Sequence, residues 1–322
     1  MTRVFSYIIV LVAVLCAACS RTEEVTLSVV PCTPIPEGRA SACATACDGK
    51  AYVFGGRDSA GKYRNELWEY DVANNTWNCI KTPLKGRVHP SMIAVGKTIY
   101  LGLGFSGKIY EDSCYLRDWW RYTPASGKWE QLQDFVSQCT IGNTTYLVGN
   151  RIYAIYGADG CFSRHIHHYD IDKNEWTREE ESHLRAKSGF GGVGAQVQDR
   201  YFYGLGNNTS NLTQWFEVDL STDKWTKRTD IPGKGRTLGA CCATNDYIYV
   251  FGGRCFAGEY TGGEVFCDYY RYDPQSDKWE HCGQMPYGTA ENLVAFTLNG
   301  KAYFGLGEDT EGRLLKQLYR VE

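Results

Sequence analysis

A chain of 322 residues with a formal net charge of −3 has room for two ordinary domains or one large β domain, and carries no excess positive charge to attract a phosphate backbone. Its 35 Gly, 23 Tyr and 9 Trp supply turn formers and residues that suit a pleated surface, which points to many short strands. No stripe of Lys and Arg with interleaved aromatics runs along the chain, so nucleic-acid binding is excluded as a function class.

The chain opens MTRVFSYIIVLVAVLCAACSRTEE: Arg3, an apolar run through Leu15, then small residues to Cys19. That order reads as a secretory signal whose apolar core is short for a bilayer span. It resembles a bacterial lipoprotein signal, in which cleavage precedes a Cys that receives the lipid. Cys19, after Ala17 and Ala18, is that residue, although Cys16 stands where such signals usually carry an aliphatic side chain. Residues 1–19 are then the signal and 20–24 a short acidic tether. The resemblance implies export, a lipid anchor in the bacterial outer membrane and, from the acidic tract, routing to the outer surface.

Fourteen Cys, less Cys16 and Cys19, leave twelve, and an exported chain with that many is expected to form disulfides. Cys255 and Cys267 flank one hairpin loop and form the first expected pair; Cys114 and Cys161 form a second. Cys43 and Cys47, four apart on one expected strand, lie about 13 Å from each other and need other partners or stay free.

Beyond the leader the sequence repeats. YVFGGR stands at Tyr52–Arg57 and again at Tyr249–Arg254, and both copies belong to a longer frame. An aromatic strand ends in Gly, a variable loop follows, then a strand with aromatic and acidic residues, then a Trp. The marker glycines are Gly56, Gly104, Gly157, Gly206, Gly253 and Gly307, spaced 48, 53, 49, 47 and 54 residues apart. Six units of four short strands, with no helical pattern between them, bury their faces by packing radially. The repeat resembles the kelch motif, with Gly-Leu-Gly replacing Gly-Gly in three units. The resemblance implies an all-β, six-bladed kelch β-propeller over residues 25–322. The last unit, ending LYRVE, lacks its Trp strand, and the expectation is that Val25–Cys32 supplies it and closes the ring.

In such a propeller two sets of loops meet at one mouth of the central channel. Those after the glycines offer Arg57, Asp58, Asp159, Asn207, Arg254 and Glu308 as ligand-binding residues. Those leading into the inner strands give Arg39, Arg87, Thr140, Ser188, Arg236 and Glu291. Packing and inter-blade hydrogen bonds are the favoured account of Arg39, Arg87 and Arg236, with ligand contact the alternative for each, and Arg236 is counted among the ligand candidates. Arg suits a carboxylate ligand through two-point contact. Glu291, Glu308 and His89 are the candidates for proton transfer. His165, His167 and His168 are read as an exposed third strand of blade three rather than a metal site, and no metal or cofactor is expected.

These residues suggest a monomeric envelope module that binds a glycan or protein at the channel. The alternative is an enzyme that resembles bacterial sialic-acid mutarotases, the N-acetylneuraminate epimerase propellers, which interconvert anomers of an anionic sugar. Copper radical oxidases also carry kelch blades, but that chemistry needs two His, two Tyr and a Cys–Tyr link around copper, and the sequence offers no His pair for it.

Overall fold

The computed structural model describes residues 23–108, 111–159, 165–181, 189–258 and 261–322. The signal segment with Cys16 and Cys19, and the sequence candidates Cys161 and Ser188, lie outside the described residues.

Alternating apolar runs broken by Gly, Asn and Asp turns fold into successive antiparallel sheets of four strands. Blade 1 comprises Ala40–Cys47, Lys50–Arg57, Leu67–Asp71 and Thr76–Ile80, counted from the axis outward. Blades 2, 3 and 4 begin with the inner strands Ser91–Val95, Thr144–Val148 and Val193–Val197. Blade 5 begins at Ala240–Ala243 and blade 6 at Val294–Leu298. The repeat is therefore a six-bladed propeller.

Closure occurs as the repeat predicts. Val29–Cys32 runs antiparallel to Leu318–Val321, with Val29 opposite Val321 and Cys32 opposite Leu318. Val29–Cys32 and the last strand of the chain thus share blade 6, and no edge of that sheet waits for the missing strand. Glu23 and Glu24, expected in the tether, form a short parallel strand on Lys278–Gln284 of blade 5.

The core is a ring of layers between blades. Trp119 and Trp176 meet edge to face at 5.4 Å between blades 2 and 3, and Trp215 and Trp279 do so at 5.5 Å between blades 4 and 5. Burying a side chain of this size removes on the order of 200 Å² from water, about 5 kcal/mol of transfer free energy. The outer-strand tryptophans also latch blades together: Trp77 Nε1–H donates to the Thr33 carbonyl and Trp279 Nε1–H to the Thr229 carbonyl, both at 2.8 Å.

The second glycine of each pair explains the marker. Gly56, Gly104, Gly206, Gly253 and Gly307 have φ between 90° and 96°, and a Cβ on Gly253 would stand 2.6 Å from the Thr237 carbonyl oxygen. Leu103, Leu205 and Leu306 replace the first glycine because their φ, 55° to 62°, falls in the left-handed well that a side chain can occupy.

Two expectations are corrected. Cys255 and Cys267 are free thiols, because the residue opposite Cys255 in the hairpin is Glu264. Cys267 lies three positions further along, about 10 Å by strand rise and beyond disulfide reach. Cys114, Cys43 and Cys47 are free as well. The third strand of blade 3 is not exposed: His167 is 1 % exposed and His168 is buried. His167 packs on Phe135 at 4.7 Å, and burial pushes its pKa down to about 4.

Candidate functional site

Three consecutive residues lead into each inner strand, and each does a different job. The first offers its carbonyl to the neighbouring blade. Gly56 N–H donates to Arg87 O, Gly104 to Thr140 O, Gly206 to Arg236 O, Gly253 to Ala290 O and Gly307 to Arg39 O, at 2.8 to 2.9 Å. The side chains at this position turn back into the blades. Arg87 is fully buried and grips Asp118 with two bonds of 2.7 and 2.9 Å. Arg236, expected at the ligand, is 2 % exposed, bonded to Asp268 at 2.8 Å and stacked on Phe266 at 4.4 Å. Its guanidinium is spent on packing, as is that of Arg39, which donates to Gly55 O at 3.2 Å.

The third residue encircles the axis. Ser41, His89, Gly142, Gly191, Leu238 and Asn292 all have positive φ, from 48° to 69°. Ser41 N–H donates to Asn292 O, His89 to Ser41 O, Gly142 to His89 O, Leu238 to Gly191 O and Asn292 to Leu238 O, at 2.8 to 3.1 Å. This ring of backbone bonds borders an axial cavity of about 220 Å³ lined mainly by small residues, with His89, Cys43 and Asn143 among the polar ones. His89 lies edge-on to Phe190 at 6.0 Å, and desolvation pulls its pKa down to about 4, so it is neutral at pH 7.

The second residue forms the mouth. Ala40, Val88, Ile141, Phe190, Thr237 and Glu291 pair respectively with Arg57, Phe105, Ala158, Asn207, Arg254 and Glu308. Blades 2 and 3 contribute only apolar side chains, and blade 4 adds Phe190 beside Asn207. Phe105 is 6 % exposed, packed against Tyr115 at 5.3 Å and Tyr63 at 6.5 Å.

Blades 5, 6 and 1 contribute charge. Glu291 and Glu308 of blade 6 exchange both backbone hydrogen bonds at 3.0 Å, so their side chains leave the same face about 5.5 Å apart at Cα. Two carboxylates so placed repel. The arginines of the two YVFGGR copies flank them: Arg57 Nη2 donates to Glu308 Oε2 at 2.6 Å, and Arg254 Nε donates to Glu291 Oε2 at 2.7 Å, with Nη2 on Oε1. The Glu291 hydrogen bond raises the Arg254 pKa further above its usual value, with the Glu308 charge adding to it. Asn292 Nδ2 donates to Glu308 Oε1 at 3.0 Å. The result is a quartet of two Arg and two Glu.

Of the residues read from sequence, the fold thus brings Arg57, Arg254, Glu291 and Glu308 together. Asn207, on blade 4, is buried and donates to Asn211 at 3.1 Å. Asp58 is not at the ligand surface: its carboxylate accepts from the Ala60 and Lys62 N–H groups at 2.9 Å and from Arg64 at 3.1 Å. Burial pushes its pKa up, but these donors outweigh that and hold it below the usual carboxylate range. Asp159 holds the corresponding turn position in blade 3. Sequence reasoning missed Asn292 and the apolar sector. It also set Glu291 level with the arginines that open the inner strands, when Ala290 holds that position, and one step along a strand turns a side chain to the other face.

The kelch description "KLHDC2/KLHL20/DRC7 Kelch-repeats domain" matches residues 16–203, and "NANM: N-acetylneuraminate epimerase" matches residues 185–312. The chain is 26% identical over 264 residues to Kelch-like protein 25 of Xenopus tropicalis, covering 79% of this chain and 42% of that protein. It is 26% identical over 306 residues to N-acetylneuraminate epimerase 1 of Escherichia coli O6:H1, covering 87% of this chain and 75% of that one. N-acetylneuraminate epimerase of Yersinia enterocolitica is 32% identical over 124 residues, 36% of this chain and 30% of its own length. The chain therefore spans less than half of the first relative and three quarters of the second. The solved "Structure of YjhT" superposes with a TM-score of 0.73 at 16% identity, covering 89% of this chain and 96% of that one, which speaks to the fold. With the kelch match extending over more than half its length and six blades in register, the chain belongs to the kelch-repeat family.

Proposed function

We propose that the protein catalyses ring opening and closing of a carboxylated sugar, of the N-acetylneuraminate type, at the mouth over blades 5, 6 and 1. One observation carries the reading: the Arg57–Glu308 and Arg254–Glu291 pairs stand side by side at the mouth, across from the apolar positions of blades 2 and 3. The epimerase match over residues 185–312 agrees with it, since that stretch includes Arg254, Glu291 and Glu308.

Mutarotation needs an anchor for the carboxylate and a group that moves the anomeric proton. Arg57, with a side chain 33% exposed, is the anchor. A Glu carboxylate takes the anomeric hydroxyl proton as that oxygen becomes a carbonyl. The ring C–O bond breaks, its electron pair stays on the ring oxygen, and that oxygen takes a proton from water. Rotation about the C–C bond and reversal of these steps give the other anomer, with no net change in protons.

A non-catalytic binding module is the second reading, favoured by how completely the four charges satisfy one another. The test is to release N-acetylneuraminate with a sialidase in the presence of the full chain and follow the anomers by proton NMR. Equilibration at least tenfold faster than buffer supports catalysis; binding without acceleration supports the module.

A further inference from the structure

The two arginines of the quartet occupy the same place in the same hexapeptide, yet their hydrogen bonds differ. Arg254 has its donors committed: Nε and Nη2 hold both oxygens of Glu291, and Nη1 donates to the Gly262 carbonyl at 2.8 Å. Glu291 is 6 % exposed and fixed at two points. Arg57 makes one side-chain bond among the described residues, Nη2 to Glu308, and is the most exposed of the four. Its remaining N–H groups can take an anion by the two-point contact that guanidinium favours.

Resting on the functional reading above, the geometry points to an ion-pair exchange: the ligand carboxylate takes Arg57 from Glu308, and the released Glu308 is the base that accepts the anomeric proton. Glu308 would not collapse into solvent on release, because Asn292 still holds Oε1 at 3.0 Å. The charges facing it are Glu291 directly opposite, with Arg254 behind Glu291 and Arg57 across the blade boundary. In its own loop Asp309 and Arg313 pair with each other at 2.7 Å. Loss of the Arg57 bond leaves Glu308 beside the Glu291 charge and a bound carboxylate, both of which make it more basic. The substrate thus activates its own catalyst, and a neutral sugar, unable to displace Glu308, leaves the base masked.

The exchange has a signature that a purely structural Glu308 would not give. Glu308→Gln removes the competitor for Arg57, so N-acetylneuraminate should bind the full chain severalfold more tightly by calorimetry while anomer exchange slows at least 100-fold, within the range for a lost general base. Arg57→Lys, which keeps the charge without the fork, should weaken binding about tenfold. If wild type accelerates exchange but Glu308→Gln binds more weakly or keeps its rate, the inference fails and the functional reading stands. No acceleration by wild type overturns both.

Discussion

The two halves of the channel mouth are built on one backbone and end in opposite chemistry. At the same paired positions, blades 2 and 3 carry Val88, Phe105, Ile141 and Ala158, whereas blades 5, 6 and 1 carry Arg254, Glu291, Glu308 and Arg57. The backbone bonds beneath link blades 1 to 3 and blades 4 to 6 and 1 in the same way. The fold therefore fixes where these side chains stand, and the residues alone decide which half carries charge. The apolar half packs under its own aromatic side chains, so the charged half is where a polar ligand finds partners.

The sharpest way to break this contrast is Arg57→Ala. It should weaken binding of the carboxylated sugar about 100-fold, two charge-assisted hydrogen bonds' worth, while stability changes by no more than about 1 kcal/mol because the pair is partly exposed. Calorimetry and thermal melting on one preparation check both statements. Arg254→Ala, in the same hexapeptide, should do the reverse in stability: it strands the buried Glu291 and is expected to cost about 3 kcal/mol, visible in urea unfolding.

Acid should weaken the apolar half first. His89 and His167 both titrate at about 4 when folded, and near 6.5 when unfolded. Between those values the unfolded chain binds the extra protons, so stability falls as the pH drops from about 6.5 to about 4 and levels off below. For the buried His167 the loss reaches up to ~3 kcal/mol. Stability measured against pH in a His89→Asn, His167→Gln chain should show a shallower decline; an unchanged slope would remove both histidines from the account. Smallest is Phe105→Leu, expected to cost about 1 kcal/mol in stability and to leave sugar affinity within twofold.

Much of this was legible in the sequence, for reasons that differ by residue. The glycine period gave the blades because close backbone approach excludes any Cβ, a constraint that repeats wherever the fold repeats. LYRVE, lacking a Trp strand, pointed to closure by the N-terminal segment because it would leave a sheet edge open. Arg57 and Arg254 were readable because their hexapeptides are identical and end where the loop begins. Glu291 was assigned one position out of register, since the step from strand approach to strand carries no marker of its own. Arg236 and Asp58 looked available because charge suggests exposure; Asp268 and the Ala60 and Lys62 amides that satisfy them are near only after folding. The Cys255–Cys267 pairing failed on register, which a count of intervening residues does not reveal.

The central claim is that the charged half opens sugar rings. Two-dimensional exchange NMR on an equilibrium mixture of N-acetylneuraminate anomers tests it without any coupling enzyme. The account predicts anomer cross-peaks whose build-up rate rises in proportion to added wild-type protein and returns to the buffer rate with Arg57→Ala. A rate that stays at the buffer value at high protein concentration would contradict it.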